Sequence, residues 1–355
     1  MRVSVALNPV QAQPWDVSDA GDIMAGISRR SALMGAAVGL AAPFVWRAAS
    51  AQTSAISQIA SEAARNDQLH ALVVTQGGQR LYAQSFRGPA IDRPANVKSV
   101  SKTLVALLTG IAIDRGVISG TDQRILPLLG RTEFGDARDA MTVSDLLTMR
   151  AGVGGTSGAS YGAWVSSPDW VEYALSRPLE GQPGGRFIYS TGGWHVLGAA
   201  LARSSGMSLH RMAQSWLGDP LDIVLPPWVA DPQGRFLGGN DMAVSPLGLA
   251  RIGQMILNGG ELDGRRVVSA RWINRSWEAR ARSPFSGDDY GYGWFLTRFG
   301  GRFAAYARGY GGQMLVVQPD RQMVIALTSD PNRPARGDGY FGELRRLVDA
   351  ITRAA

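Results

Sequence analysis

The chain has 355 residues, of which 45% are hydrophobic and 18% charged, so it is long enough for one large domain or two moderate ones and too apolar for a disordered protein. Its net charge is +7, but the arginines are scattered and no basic run or RNA-binding motif occurs, which argues against a nucleic-acid partner. Cysteine is absent, which excludes disulfides, a thiolate nucleophile and a cysteine-based metal site.

The first 51 residues resemble an export signal. The stretch Ser28-Arg29-Arg30-Ser31 is similar to a twin-arginine motif, and the apolar run 32–45 that follows is too short to span a membrane. Small residues at 49–51 suit cleavage before Gln52. We therefore expect a leader over 1–51 that is read by the twin-arginine (Tat) export machinery, no stable membrane anchor, and a periplasmic or secreted protein. The alternative is a disordered leader with a chance arginine pair.

Two strands are predicted near the start of the mature chain. Residues 53–67 have the apolar spacing of an amphipathic helix. The runs 70–76 and 79–86 then read as strands, and Gly77-Gly78 between them is a typical hairpin turn.

A serine and a lysine three residues apart open a buried helix. The run 104–116 that follows Ser99-x-x-Lys102 is apolar nearly all round and ends at a glycine. Lysine occurs only at 98 and 102 in the whole chain. Arginine keeps its proton near neutral pH, whereas a buried lysine can release one, so Lys102 suits proton transfer beside a serine. Alone, the motif is short enough to occur by chance.

The middle of the chain is mainly helical and contains a second serine motif. A capped helix is predicted from Thr142, with Asp145 completing a capping box. The loop 152–162 contains Gly158-Ala159-Ser160-Tyr161-Gly162, which matches the Gly-x-Ser-x-Gly nucleophile pattern. Because that elbow requires a strand before the serine, and none is predicted here, we interpret Ser160 as a decoy.

The remaining elements predict the architecture. Helices are expected over 168–175, 194–203, 209–217 and 247–258, strands over 292–297, 302–307, 313–318 and 322–328, and a closing helix over 340–351. Strands at both ends and helices between them predict an α+β fold with one antiparallel sheet flanked by helices and a helical insertion. The sheet subdomain is expected over about 53–98 and 285–355, and the helical one over about 99–284. The active site is expected between them.

Three motifs together resemble a known family. They are Ser99-x-x-Lys102, Tyr189-Ser190-Thr191 and the Gly309-Tyr310-Gly311-Gly312 turn between two late strands. The chain resembles the serine β-lactamase-like superfamily over about residues 54–352. This superfamily includes class C β-lactamases, D-Ala-D-Ala carboxypeptidases, family VIII esterases and 6-aminohexanoate-dimer hydrolases. The stretches 142–152 and 167–195 look closest to the last two groups. The resemblance implies a β-lactamase/transpeptidase-like fold.

The resemblance also implies roles for the motif residues. Ser99 would be the nucleophile that forms an acyl-enzyme, Lys102 would share or relay its proton, and Tyr189 would be the second proton-transfer group. The N–H groups of Ser99 and Tyr310 would form the oxyanion hole, with Gly309 and Gly311 allowing close approach. The alternatives are a packed aromatic residue at 189 and a plain β-turn at 309–312.

Two departures from the family pattern favour an esterase or amidase. Thr191 stands where β-lactamases have an amide, and a Lys-Thr-Gly triad is impossible because no lysine follows Lys102. The expected substrate is therefore a small ester or amide. A D-Ala-D-Ala carboxypeptidase or β-lactamase is the first alternative, and a non-catalytic penicillin-binding-like protein is the second. The natural substrate, the role of Arg308 and the oligomeric state stay open.

The other candidates carry less information. Tyr161, Trp164 and Trp194 are candidates for lining an acyl pocket, although for each residue alone the pattern favours an ordinary core aromatic. His195, close to Tyr189, is a candidate for orienting the site or an ordinary buried histidine. The other two histidines are isolated, so no metal site or cofactor is expected.

Overall fold

Strands from both ends of the chain form one sheet in the computed structural model, which describes residues 51–355 as one compact unit. The predicted leader and its twin-arginine motif lie outside these residues, except for Ala51. The strands are β1 (Leu69–Gln76), β2 (Gln79–Ser85), β3 (Ala95–Asn96), β4 (Ala243–Val244), β5 (Glu261–Leu262), β6 (Arg265–Arg266), β7 (Ala281–Arg282), β8 (Asp289–Tyr290), β9 (Phe295–Phe299), β10 (Arg302–Gly309), β11 (Gln313–Gln318) and β12 (Met323–Ser329).

The main sheet has eight antiparallel strands in the order β2-β1-β12-β11-β10-β9-β8-β7. The first and last long strands lie side by side, with Val73 opposite Ala326. Gly77 and Gly78 both have positive φ angles, as the tight turn between β1 and β2 requires. All residues of β11 and β12 are buried, because helices cover both faces of the centre of the sheet.

Along the sequence, most of the helices lie between the strands at the start of the described chain and those at its end. They are α1 (51–63), α2 (Ser101–Asp114), α3 (Ile125–Leu128), α4 (Val143–Leu147), α5 (Tyr161–Val165), α6 (Trp170–Leu175), α7 (Thr191–Ser205), α8 (Leu209–Met212), α9 (Pro246–Leu257), α10 (Ala270–Ser276) and α11 (Tyr340–Ala354). The predicted α+β class, with an antiparallel sheet and flanking helices, is confirmed.

Several local predictions are confirmed and some boundaries move. The α2 helix is buried from Ser101 through Ala112, and Thr142 caps α4 in a capping box with Asp145. The helix expected over 209–217 is α8 followed by a π-helical turn, Ala213–Gly218. The strand expected from 292 begins at Phe295, because Gly293 with a φ angle of +78° interrupts the extended backbone. The two-residue strands carry too little periodicity to be predicted from sequence.

Across residues 51–355, no helix combines the length and the apolar character that crossing a membrane requires.

Candidate active site

The serine of the first motif lies on a tight turn just before the buried helix. The 3₁₀ turn Lys98–Val100 leads directly into α2, so Ser99 precedes the helix that its motif opens. Lys98 adopts a φ angle of +50°, which is unfavourable for a residue with a side chain. Two contacts hold it there. Its N–H donates to Asn96 Oδ1 over 2.9 Å, and its ammonium pairs with Asp241 Oδ1 over 2.8 Å.

The buried lysine touches the serine and two further acceptors. Lys102 is 3% exposed, and its Nζ lies 2.9 Å from Ser99 Oγ, 2.6 Å from the Gly239 carbonyl oxygen and 3.2 Å from Thr191 Oγ1. An ammonium can donate to all three. A neutral amine can donate to Gly239 and Thr191 and use its lone pair to accept the Ser99 proton.

Burial makes the neutral form of this lysine accessible. Desolvation lowers the pKa of Lys102, and the negative charge on Tyr189 and on Asp241 opposes this only in part. An amine with a lowered pKa beside a hydroxyl is the arrangement that activates a serine nucleophile.

Tyr189 lies next to both the lysine and the serine. The Nζ of Lys102 is 5.1 Å from the centroid of its ring. Burial raises the pKa of Tyr189, but the positive charge of Lys102, hydrogen bonding with Ser99 and Lys102, and the Arg308 guanidinium together bring it below its ordinary value. The pKa values of the Tyr189 phenol and of the Lys102 amine are thus both lowered, which favours proton transfer by either group.

The glycine turn after β10 comes close to the backbone of Ser99. A Cβ atom at Gly309 would lie 2.4 Å from the Val97 carbonyl oxygen and 3.0 Å from the Ser99 nitrogen, so only glycine allows this contact. Gly311 has a φ angle of +83°, and a Cβ there would lie 2.2 Å from the Asp330 carbonyl. The peptide of Tyr310 is held between them. This is the proximity that an oxyanion hole formed by the amides of Ser99 and Tyr310 requires.

These groups line a cavity of about 990 Å³. Ser99, Tyr189, Thr191, Tyr161 and the exposed ring of Tyr310 all contribute to its wall. The predicted catalytic and oxyanion residues are therefore brought together, although they are up to 211 positions apart (310 − 99) in the sequence.

The cavity is cationic on one side. Arg308 and Arg336 line it, and the Arg308 guanidinium lies 3.6 Å above the centroid of the Phe341 ring. Neither arginine forms an ion pair with an acidic residue in the described part of the chain, whereas Lys98 and Asp241 neutralise each other. The open positive charge suits a substrate group with negative charge.

Three of the predicted residues lie away from the cavity. Trp194 is fully buried and its indole N–H donates to Met149 Sδ, because its helix faces the main core. Trp164 is also fully buried, in a small separate cluster with Trp170 and Leu237. His195 is buried against Asp231 and does not reach the cavity wall.

The sequence analysis interpreted Ser160 of the glycine-rich loop as a decoy, and the structure brings a different serine of that loop, Ser157, to the site. Ser160 ends a 3₁₀ turn, Gly158–Ser160, that no strand precedes, so the context of a nucleophile elbow is missing. Ser157 lines the cavity, accepts the Thr191 N–H over 2.9 Å, and its Oγ lies 2.9 Å from Thr191 Oγ1. It thereby supports the threonine that touches Lys102. The sequence offered only the polarity of the loop as a signal.

No group of three or more acidic, histidine or cysteine side chains that could hold a metal occurs among residues 51–355.

Comparison with known proteins gives consistent matches. The family described as Beta-lactamase matches residues 69–349. A 6-aminohexanoate-dimer hydrolase of Paenarthrobacter ureafaciens is 26% identical over 320 residues, covering 79% of each chain. A penicillin-binding protein homologue from Caulobacter crescentus superposes with a TM-score of 0.69 at 17% identity, covering 86% of this chain and 98% of that one. A family VIII carboxylesterase does so with a TM-score of 0.67 at 17% identity, with the same coverage of 86% and 98%. The structural matches show a β-lactamase/transpeptidase-like fold.

Proposed function

The chain belongs to the Beta-lactamase family and is a serine hydrolase, and we propose that it hydrolyses small esters or amides through an acyl-enzyme on Ser99. The observation that carries this proposal is the buried Lys102 amine, 2.9 Å from the Ser99 hydroxyl at the wall of an open cavity. Tyr189 and the backbone N–H of Tyr310, which line the same cavity, supply the other groups that acyl transfer needs.

The proposed reaction has two halves. Ser99 Oγ attacks the carbonyl carbon while its proton passes to the Lys102–Tyr189 pair, and the N–H groups of Ser99 and Tyr310 stabilise the oxyanion. Collapse of this intermediate breaks the bond to the leaving alcohol or amine, which takes up the proton from the pair. Water then attacks the carbonyl carbon of the ester on Ser99 and gives a proton to the same pair. Collapse of this second intermediate breaks the bond between that carbon and Ser99 Oγ, which takes the proton back from the pair, and the carboxylic acid leaves.

An esterase or amidase is favoured over a β-lactamase for local reasons. Position 191 has a threonine and therefore no side-chain amide that could bind a substrate. The Thr191 hydroxyl instead hydrogen-bonds Lys102 and Ser157. No lysine follows Lys102, so the late strand cannot supply the cation of a Lys-Thr-Gly triad.

A narrower candidate is a linear amide that carries a free carboxylate. Arg308 and Arg336 line the cavity without an acidic partner among residues 51–355, and a carboxylate could pair with them. The relative from Paenarthrobacter is named for a dimer of an amino acid, which has such a carboxylate.

Activity of Ser99→Ala and Ser160→Ala tests the proposal. With short p-nitrophenyl esters, Ser99→Ala should lose turnover by at least about 10³-fold, whereas Ser160→Ala should keep it. Intact mass after treatment with a fluorophosphonate should show one adduct, absent from Ser99→Ala. Undiminished turnover in Ser99→Ala would refute the mechanism, and a wild-type chain without an adduct would favour the non-catalytic alternative.

A substrate panel separates the remaining candidates. It compares short esters, linear amides with and without a carboxylate, D-Ala-D-Ala peptides and a cephalosporin. We expect esters or linear amides to give the highest kcat/KM. Hydrolysis of the cephalosporin or the D-Ala-D-Ala peptide at a rate comparable to esters would favour the β-lactamase or carboxypeptidase alternative instead.

A further inference from the structure

A buried histidine outside the cavity contacts the loop that binds the catalytic lysine. His195 lies in α7 and is completely buried. Its Nε2 is 3.0 Å from Asp231 Oδ2, and its Nδ1 accepts a hydrogen bond of 3.3 Å from the Gly238 N–H. Because a backbone N–H can only donate, Nδ1 carries no proton. The proton is therefore on Nε2 and is donated to Asp231.

Asp231 is a fixed and charged partner for this ring. Its Oδ2 also accepts from Arg235 Nε over 2.6 Å, and its Oδ1 accepts the N–H groups of Gln233 and Arg235. Burial raises the pKa of Asp231, but these bonds and His195 outweigh it and lower the pKa to about 2. A carboxylate held in this way fixes both the tautomer and the orientation of the imidazole.

The loop that contains Gly238 and Gly239 packs directly against α7 on the other side of the imidazole ring. A Cβ atom at Gly238 would lie 2.3 Å from the Trp194 carbonyl oxygen, and one at Gly239 would lie 2.8 Å from the Trp194 Cβ. The Gly239 carbonyl then accepts the 2.6 Å hydrogen bond from Lys102 Nζ. A continuous path of contacts thus joins Asp231 to the lysine through one ring and two adjoining residues of backbone.

We propose that His195, oriented by Asp231, is a positioning residue that fixes Gly238 and Gly239 so that the Gly239 carbonyl holds one N–H of Lys102. This rests on the proposed function, in which the lone pair of Lys102 must point at the Ser99 hydroxyl. With one N–H on Gly239 and the other on Thr191, the neutral amine has only its lone pair left for Ser99. Without His195, the loop loses its fixed donor–acceptor contact and the amine loses its orientation.

The surroundings of the ring keep it neutral. Burial lowers the pKa of His195, against the opposing effect of Asp231. Arg235, which also pairs with Asp169 over 2.6 Å, adds positive charge beside it, and the rings of Trp164 and Trp170 pack with centroids 6.0 and 5.5 Å from that of His195. A neutral ring can accept from Gly238, as positioning requires.

The test uses a double-mutant cycle, because a purely structural histidine would also lower activity when removed. His195→Leu, His195→Gln and Asp231→Asn are each made in the wild-type chain and in Lys102→Ala. The readout is kcat/KM for an activated p-nitrophenyl ester, so that the slow Lys102→Ala background stays measurable. His210→Leu is the matched control, since His210 also packs among aromatic rings and bonds a carbonyl but has no contact with the lysine.

If His195 acts through the lysine, His195→Leu lowers kcat/KM by at least about 10-fold with Lys102 present and by less than about 2-fold in Lys102→Ala. His195→Gln should restore most of the loss, because its amide can accept from Gly238 and donate to Asp231. His210→Leu should leave kcat/KM unchanged relative to the parent chain in each background, wild type or Lys102→Ala.

Two results would overturn the inference: a folded His195→Leu chain with wild-type kcat/KM, or an equal loss in both backgrounds. If circular dichroism shows that His195→Leu does not fold, Asp231→Asn decides by the same comparison. Failure of the proposed function is distinguishable, because it would appear as turnover in Ser99→Ala whatever His195 does.

Discussion

Lys102 Nζ lies 2.9 Å from Ser99 Oγ, inside a protein interior that leaves the lysine 3% exposed. Solvent therefore does little to stabilise its charge, and the neighbouring acceptors decide how many protons it holds. Under the proposed mechanism, this contact explains why a lysine rather than an arginine stands at this position of an arginine-rich chain, because arginine would keep its proton.

Replacement of the lysine by arginine should abolish most of the activity. Lys102→Arg keeps the charge but cannot accept the Ser99 proton, so we expect kcat/KM for short esters to fall by about 10²–10⁴-fold. Lys98→Arg is the control, since that side chain needs only its charge to pair with Asp241. A Lys102→Arg enzyme with near-normal kcat would show that the lysine is not a proton acceptor.

The acidic limb of the pH profile should depend on Arg308. The positive charge of Arg308 is one of the effects that lower the pKa of Tyr189. If the phenolate is the active form, kcat/KM rises with pH through this pKa, so Arg308→Gln should move the limb to higher pH. The profile is measured with a neutral ester, to avoid loss of a carboxylate contact. Arg302→Gln, at the exposed start of β10, should leave it unchanged. A shift to lower pH would contradict this assignment.

A methyl group at Gly309 should disable the oxyanion hole. The added Cβ would meet the Val97 carbonyl at 2.4 Å and push the Tyr310 peptide away from Ser99. We expect Gly309→Ala to lower kcat by about 10²–10³-fold, the usual effect of losing one oxyanion donor. Gly181→Ala, with nothing within 4 Å of the added atom, should behave as wild type. Equal kcat values for the two variants would exclude the turn from catalysis.

The ion pair between Asp288 and Arg345 should stabilise the fold in a pH-dependent way. Asp288 is buried and bonded to Tyr306 and Arg345. Loss of its charge in Asp288→Asn should lower the free energy of unfolding by roughly 2–3 kcal/mol, less than for a fully buried pair because the Arg345 side chain is 29% exposed. Urea unfolding at pH 7 measures this. The exposed control Asp263→Asn, whose carboxylate pairs with Arg251, should change it by less than about 1 kcal/mol.

The sign of the pH effect follows from the pKa of Asp288. Burial raises this pKa, but Arg345, Tyr306 and Thr297 lower it below the ordinary value of 3.8. The stabilisation is therefore complete at neutral pH and is lost as pH falls below the ordinary carboxyl range toward the lowered folded-state pKa. The difference in unfolding free energy between wild type and Asp288→Asn should shrink on acidification. A constant difference would mean that Asp288 does not titrate in this way.

The export signal remains a prediction from the sequence, and cell fractionation tests it. In a bacterium with a twin-arginine pathway, the wild-type chain should reach the periplasm and lose residues 1–51. The double variant Arg29→Lys and Arg30→Lys should stay in the cytoplasm at full length. Export of both chains alike would show that another signal directs them.

Much of the fold followed from local patterns. The hairpin at Gly77-Gly78, the buried helix after Ser99 and the last strands are coded by turn residues and by hydrophobic period, which act over a few neighbouring residues. The decoy status of Ser160 was predicted on the same basis, because an elbow is a local strand–turn–helix unit. Strands of two residues and the exact start of β9 were beyond such patterns, since neighbours in the sheet determine them.

By itself, the sequence determined which side chains are chemically able to act: a serine and a lysine one helical turn apart, a tyrosine followed by a capped helix, and a glycine-rich turn. Only the tertiary structure decided what surrounds them. The Gly239 carbonyl that binds Lys102 lies 137 residues further along the chain, and no spacing rule links the two. Ser157, Asp241 and Arg336 reach the site in the same way, and the His195–Asp231 pair contacts the loop that carries the Gly239 carbonyl. The physical reason is that proton affinity depends on burial and on neighbouring dipoles and charges, which packing creates between residues that are far apart in sequence.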